Sequence, residues 1–253
     1  MQSKFHKIFT VGTTAVMLLS SIAVFPAFGV SAENVMTADD ITQNMTIGWN
    51  IGNSLDATGY DSSQETSWGN PTVTRELIDA VKAKGFNTIR IPTTWYPNVT
   101  TTTDENGKPV YTISELWLQR VQEVVDYAYE QDMYVILNLH HEEWINRSDF
   151  PTAYDEMSER LKQMWLQIAA YFKDYDQHLI FEGMNEPRQT GASYEWQGNA
   201  EGYEVVNKLD NDFVETVRSV ESPYQNTRLL MIPSYAASAY ASSYSSLDVP
   251  DDD

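Results

Sequence analysis

The sequence has no cysteine and few basic residues, and both shortages narrow what the protein can be. Without cysteine it forms no disulfides, which suits an exported protein that does without them, although a reducing compartment would allow the same composition. The chain has 16 lysine and arginine residues against 36 aspartate and glutamate residues, a formal net charge of −20. Such a polyanion repels nucleic acid and anionic lipid, so we expect neither as a partner and favour a neutral substrate.

Long apolar runs are also missing, except near the N-terminus. There two lysines precede an apolar stretch at 8–24, and a small-x-small sequence ends at Ala32. This order is typical of a secretory signal peptide over residues 1–32, the alternative being an anchoring helix that is not cleaved. Residues 1–32 contain two lysines and no acidic residue, so the remaining chain, 33–253, carries a charge of −22. We therefore expect a secreted, extracellular protein that has no membrane contact after signal removal.

Two common ligand-binding motifs are absent as well. The segment "GWNIGN" lacks the glycine spacing of a dinucleotide-binding loop, and "HHEEW" has Ile145 where a zinc peptidase needs a second histidine. His140 and His141 are neighbours after a strand, so we expect His140 to face the site and His141 to pack behind it. The sequence therefore predicts no metal and no cofactor, with a metal site as the minor alternative.

The segments that are present alternate between strand-like and helix-like patterns. Strands are predicted at 47–51, 86–92, 133–139, 179–184 and 228–232, with four amphipathic helices between them. The third of these, "MYVILNL", is apolar almost throughout, as in strands that are buried on both faces of a parallel sheet. Asn70-Pro71 predicts the start of the first helix, and the Thr112/Glu115 spacing predicts a capping box at the second.

Strands that alternate with helices indicate a parallel sheet built from βαβ units. With a dinucleotide fold disfavoured, the prediction is an α/β fold of the (β/α)8 TIM-barrel type, of which this chain holds only about the first five units. The alternative is a complete open sheet of five strands, which would leave a long apolar strand at its edge.

Polar residues stand where the predicted strands end, and in a barrel these ends converge on one mouth. They are Asn50, Asn53, Arg90, Asn138, His140, His141, Glu142, Asn185, Glu186, Ser234 and Tyr235. Glu186 is the candidate catalytic residue, because a carboxylic acid in a closed site can donate a proton at neutral pH. The alternative is an ordinary glutamate at a helix start before Pro187. Arg90 interrupts an apolar strand and demands a polar or anionic partner, either a catalytic carboxylate or a structural ion pair.

Tryptophan rings stack on the apolar faces of sugar rings, and four of them follow predicted strands. These are Trp68, Trp95, Trp144 and Trp196, for each of which simple loop packing is the alternative. Trp117 and Trp165 lie on helical stripes and are predicted to be core residues.

Five segments in order closely resemble the endoglucanases of glycoside hydrolase family 5. They are "GWNIGNSLDA", "ETSWGNP", "GFNTIRIPTTW", "YVILNLHHE" and "FEGMNEPR", and the resemblance runs from about residue 34 to the end. It implies a (β/α)8 enzyme that cuts internal β-1,4 bonds of cellulose and related β-glucans with retention of configuration. It implies Glu186 as acid/base, with Asn50, Arg90, His140, Asn185 and Trp68 contacting substrate or organising the site.

The family's nucleophile is a glutamate after the seventh strand, beyond the fifth strand of this chain. Neither Glu142 nor Glu182 is expected to replace it, since Glu182 either points away from the mouth or lies low in the barrel. We therefore expect the 253 residues alone to be inactive. We expect a β-glucan polysaccharide as the binding partner and a monomeric protein. The alternatives are a non-catalytic glucan-binding fragment and a metal-dependent hydrolase. The preferred polysaccharide is left open.

Overall fold

The computed structural model describes residues 36–58 and 64–252, which belong to one compact unit, Asn34–Asp253. Five parallel strands form its main sheet in the order β1-β2-β5-β6-β7, so every strand pairs with its neighbour along the chain. They are β1 (Gly48–Asn50), β2 (Thr88–Ile91), β5 (Tyr134–Asn138), β6 (Leu179–Glu182) and β7 (Leu230–Met231). All five strands were predicted. This sequential strand order is typical of a (β/α)8 barrel. In a doubly wound sheet, by contrast, the strand order reverses at a switch point.

Four helices connect these strands, as predicted. They are α2 (Arg75–Ala83), α3 (Glu115–Tyr129), α4 (Tyr154–Tyr171) and α5 (Ala200–Arg218). Two short helices were not predicted, α1 (Ala38–Asn44) before the first strand and α6 (Ala241–Ser245) after the last. In α1, the side chain of Thr37 accepts a hydrogen bond from the Asp40 backbone N–H in a capping box.

The predicted helix starts were wrong at two places. Helix α2 begins four residues after Pro71, capped by Thr74, because the Asn70 side chain donates instead to the Gly52 carbonyl. Helix α3 follows Ser114, and Thr112 is in a strand. In both places a tertiary contact overrides a local capping pattern.

An antiparallel hairpin that the sequence analysis missed lies between β2 and α3. It consists of β3 (Val99–Thr103) and β4 (Pro109–Ile113), which are in register from Val99 opposite Ile113 to Thr103 opposite Pro109. The signal was present as Asn106-Gly107, a dipeptide favoured in tight hairpin turns, and Gly107 has a φ of +81°. The α4 side chains of Gln163 and Gln167 bond to the backbone of β4, which fixes the hairpin against the helices.

Residues of the sheet alternate between two apolar faces. The outer face packs against the helices and includes Ile89 of β2 and Leu137 of β5, both fully buried. On the inner face Ile136 and Ile180 pack with Ile41 of α1 in a second, smaller cluster. Arg90 is opposite Ile136 in the register, so its side chain belongs to the inner face as well. The fold thus directs Arg90 into the interior of the curved sheet.

Within the described ranges, 36–58 and 64–252, there is no helix both long and apolar enough to cross a bilayer. The predicted signal peptide, residues 1–32, lies outside those ranges.

A buried carboxylate without a partner is present in α5. Asp210 is fully buried, and neither of its oxygens has a hydrogen-bond partner among the residues that the structure describes. Burial raises its pKa well above the usual value for aspartate. The pKa of Asp210 is thus higher in the folded protein than in the unfolded chain. Because of this difference, Asp210 lowers the free energy of unfolding as the pH rises from about 4 to the folded-state pKa.

Asp210→Leu is therefore expected to raise the free energy of unfolding, by about 1–3 kcal/mol at neutral pH and by less in acid. Urea unfolding of the full-length protein at pH 4 and pH 8 measures this difference. Asp212 on the same helix is the matched control, because it is also buried but accepts from Tyr154 and pairs with Lys162. Asp212→Leu should destabilise, and an Asp210→Leu variant that loses stability at pH 8 would contradict the account.

Candidate active site

Arg90 of β2 is the centre of a hydrogen-bond network at the carboxyl ends of the strands. Its Nε and Nη2 donate to the two carboxylate oxygens of Glu182, at 2.6 and 2.5 Å. The same guanidinium donates to the side-chain oxygens of Asn50 and Asn185, each at 3.0 Å. The structure therefore brings together Asn50, Arg90 and Asn185, three residues singled out in the sequence, around a fourth residue that was not.

Glu182 is the site residue that the sequence analysis missed. Of the two positions left open for it, the inner one is right, because Glu182 is opposite Asn138 in the register and faces Arg90. Its side chain is 13% exposed, against 25% for Arg90. A bidentate pair of this kind gives a strong and directional contact. Arg90 thus has the anionic partner that its position in an apolar strand demanded, and here that partner makes a structural ion pair.

His140 joins this network through Asn138, the last residue of β5. The Asn138 side-chain oxygen accepts from the Thr93 backbone N–H at 3.1 Å, and its Nδ2 donates to Glu182 Oε1 at 3.0 Å. The same Nδ2 lies 3.1 Å from His140 Nδ1. Burial, aided by the neighbouring His141 and Arg90, lowers the pKa of His140 to about 3, so the ring stays neutral at neutral pH.

His141 does not pack behind His140, as the sequence analysis expected. The side chain of His141 is 40% exposed and that of His140 only 11%. Strict alternation fails because β5 ends at Asn138, so both histidines lie in the loop that follows. Burial lowers the pKa of His141, while the charges of Asp56 and Glu186 act in the opposite direction. His141 is therefore on the open side of the site, near the candidate acid.

The two histidines and Asp56 form a cluster with possible metal ligands. His140 Nε2 and His141 Nε2 are 3.9 and 4.0 Å from Asp56 Oδ2, and one ligand atom of each residue lies within 4.8 Å of the others. Imidazole and carboxylate ligands suit zinc. The sequence predicts no metal at these residues. Whether His140 Nε2 carries a hydrogen decides between a metal site and a hydrogen-bonding site, because a metal ligand needs an unprotonated nitrogen.

Glu186 lies in the loop after β6 with a left-handed backbone, φ +44°. Such a conformation costs a non-glycine residue about 1 kcal/mol or more and is frequent at functional sites. Its carboxylate is 42% exposed and lies 3.4 Å from Arg188 Nη1, which also donates to the Glu186 carbonyl at 3.0 Å. The backbone N–H of Asn185 donates to the Leu139 carbonyl, which fixes the backbone beside Glu186. Glu186 is thus presented to the open side, next to the Arg90 network, and not in a closed site.

The four tryptophans in loops divide into two pairs. Trp95 and Trp144 are buried, and their indole N–H groups donate to the Asn138 carbonyl and to Glu142. Trp68 and Trp196 are 44% and 51% exposed. The Trp68 ring lies 5.4 Å from that of His141, and the Trp196 ring lies beneath the Arg188 guanidinium at 4.1 Å. Only the exposed pair offers a ring face near Glu186. Trp117 and Trp165 are core residues, as predicted.

Glu142 is fully engaged in holding the loops beneath the site. Its carboxylate accepts from the backbone N–H groups of Trp95 and Tyr96 and from the indole of Trp144. Burial raises its pKa. Because its oxygens are directed into the protein, Glu142 is unsuited to attack a substrate, as the sequence analysis expected.

The chain matches a known family over most of its length. Residues 52–253 match the family model described as cellulase (glycosyl hydrolase family 5). Endoglucanase A of Clostridium longisporum is 43% identical over 252 residues, which is 95% of this chain and 46% of the relative. The chain spans about half the length of the curated relatives it matches.

Solved structures agree in both sequence and shape. A broad-specificity endoglucanase from Ruminococcus flavefaciens is 54% identical with a TM-score of 0.78, covering 86% of this chain and 62% of the other. An endoglucanase from Ruminococcus champanellensis with bound cellotriose is 41% identical with a TM-score of 0.78, covering 88% of this chain and 64% of the other. The prediction of a (β/α)8 barrel with about five units in this chain is confirmed. The chain belongs to glycosyl hydrolase family 5.

Proposed function

We propose that the protein is an endo-β-1,4-glucanase that cleaves cellulose or related β-glucans with retention of configuration. The observation that carries this is that Arg90 binds both Asn50 and Asn185, the residue before Glu186, at the strand ends of a family 5 barrel. Several matched structures contain short cello-oligosaccharides, which supports a β-linked glucose chain as the ligand class.

In this proposal Glu186 is the acid/base. It first protonates the glycosidic oxygen of the leaving sugar and then, as a carboxylate, removes a proton from the attacking water. Its exposed carboxylate is accessible to a polymer from the open side, and Asn185 is oriented by Arg90 to contact the sugar at the cleavage point. Trp68, next to His141, supplies a ring face for a neighbouring sugar unit.

Retaining chemistry needs a second carboxylate at roughly 5–5.5 Å from the first. Among the described residues, Glu182, Glu142 and Asp56 lie at these strand ends, and each already has other contacts. Glu182 is bound by Arg90, Glu142 accepts three N–H groups, and Asp56 accepts the Ser54 backbone N–H beside the histidines. We infer that the nucleophile is a carboxylate outside the residues described.

Residues 33–253 by themselves are accordingly expected to release no reducing sugar from β-glucan. Joined to the part of the Ruminococcus flavefaciens endoglucanase that this chain does not cover, they are expected to gain activity, because that part supplies the partner of Glu186. Reducing-sugar release by both proteins, with Glu186→Gln in the joined protein as control, measures this. Glu186-dependent release by residues 33–253 alone would contradict the inferred location of the nucleophile.

The mode of cleavage is tested with the joined protein on soluble polymers. Cuts inside the chain lower viscosity before many reducing ends appear, whereas removal of end units does the reverse. A panel of cellulose, mixed-linkage glucan, xyloglucan, glucomannan and xylan identifies the preferred polymer. Binding to these polymers with no turnover on any of them would favour the alternative, a non-catalytic glucan-binding protein.

We also infer that residues 1–32 direct export, so that the enzyme acts outside the cell. The basic start, the apolar stretch and the small residues before Glu33 support this inference.

A further inference from the structure

The side-chain amide of Asn138 has only one orientation that satisfies its contacts. The Thr93 backbone N–H can only donate, so the Asn138 atom at 3.1 Å from it must be the carbonyl oxygen, Oδ1. The other terminal atom is then the NH2 group, Nδ2. This agrees with its second contact, because the Glu182 carboxylate, held by Arg90, accepts at 3.0 Å.

This orientation decides which nitrogen of His140 carries the proton. An amide NH2 group has no free acceptor, so at 3.1 Å from Nδ2 the His140 Nδ1 atom must accept. A neutral imidazole that accepts at Nδ1 carries its hydrogen on Nε2. Since the partners of Asn138 are a backbone N–H and an ion-paired carboxylate, neither can reverse its role.

We propose that Asn138 is a positioning residue that locks His140 as the Nε2–H tautomer and so makes it a fixed hydrogen-bond donor in the site. Among the described residues, His140 Nδ1 has no other hydrogen-bond partner. His140 Nε2 faces Asp56 Oδ2 at 3.9 Å, too far for a direct hydrogen bond. A substrate hydroxyl beside both groups could accept from Nε2–H and donate to Asp56, which is the pairing a sugar hydroxyl offers.

The Nε2–H tautomer of His140 also determines whether the cluster of Asp56, His140 and His141 can bind a metal. A metal ligand needs an unprotonated nitrogen, and His140 Nε2 carries a hydrogen. The cluster of Asp56, His140 and His141 is therefore a hydrogen-bonding site for hydroxyl groups and not a resident metal site.

The tautomer is measured by long-range 1H–15N NMR of the protein labelled at its histidines. His140, assigned by the loss of its signals in His140→Gln, is expected to show a protonated Nε2 and an unprotonated Nδ1. Asn138→Asp should invert the pattern, since the carboxyl oxygen in place of Nδ2 shares a proton with Glu182 and accepts from His140 Nδ1–H. Asn138→Ala should give a mixture of the two tautomers.

A wild-type His140 with the proton on Nδ1 would overturn the proposal, as would a spectrum unchanged in both variants. If neither variant folds, the wild-type spectrum still decides between the tautomers. Asn211→Asp is the matched control, because Asn211 is exposed on α5 and its side chain bonds to Glu215 of the same helix. It should leave the His140 signals unchanged.

The kinetic consequence rests on the proposed function. Asn138→Asp is expected to lower kcat/KM for β-glucan about tenfold, because the donor to the sugar is lost, while Asn211→Asp has no effect. Failure of the proposed function and failure of the proposed role of Asn138 give different results. A joined protein that shows the Nε2–H tautomer but no activity refutes the function alone, whereas an active joined protein with the Nδ1–H tautomer refutes the role of Asn138 alone.

Discussion

Replacement of Glu186 by glutamine is expected to lower kcat of the joined protein on β-glucan about 10²–10⁴-fold, with little change in stability. Glutamine keeps the shape and the contact with Arg188 but cannot deliver a proton to the leaving oxygen. The fold should tolerate it, because the Glu186 carboxylate is 42% exposed and its one side-chain contact with Arg188 is at 3.4 Å. Initial rates and urea unfolding of the same preparation measure both effects.

Glu195→Gln is the matched control for this experiment. Glu195 also pairs with Arg188, at 3.1 Å, and is in the same loop, so its loss disturbs Arg188 without removing the proposed acid. We expect Glu195→Gln to keep kcat within a few-fold of wild type. Equal losses in the two variants would mean that the position of Arg188, and not proton donation by Glu186, limits the rate.

Replacement of Arg90 by methionine is expected to lower the free energy of unfolding by about 3 kcal/mol and to abolish most activity. The change leaves Glu182, 13% exposed, as a buried carboxylate without its cation, which is the costly way to break such a pair. It also releases Asn50 and Asn185, the side chains that Arg90 orients. Urea unfolding and initial rates of the joined protein measure the two losses.

Arg75→Met provides the comparison for an exposed pair. Arg75 binds Glu130 at 2.7 Å, but both side chains are about half exposed, so the loss should be under about 1 kcal/mol. The double variant Arg90→Met with Glu182→Leu should recover part of the lost stability, because it removes the uncompensated charge. It should recover no activity. An Arg90→Met variant as stable as Arg75→Met would contradict the importance given to the buried pair.

The main elements of the fold could be predicted because their patterns are local. The apolar run 133–139 and the stripe through Met157, Leu161 and Trp165 are set by burial on one face or two, and the structure has β5 and α4 there. The approximate carboxyl ends of the strands could be predicted for the same reason. At these ends the structure joins Asn50, Arg90 and Asn185 in one hydrogen-bond network.

The rest depends on contacts between residues far apart in the chain. Glu182 is 92 residues from Arg90, and only the register of β5 with β6 shows that they face each other. His141 was misplaced because the end of β5 cannot be fixed to one residue from sequence. The helix start at Asn70-Pro71 failed because the Asn70 amide is used by the Gly52 carbonyl.

The most direct test of the account compares Glu186→Gln with wild type on two aryl cellobiosides whose leaving groups differ in acidity. A strongly acidic phenol leaves without protonation, whereas a weakly acidic one needs the proton that Glu186 supplies. If Glu186 is the proton donor, the loss in the rate of bond cleavage should be large for the weakly acidic phenol and should nearly vanish for the acidic one. The same loss for both substrates would contradict that role.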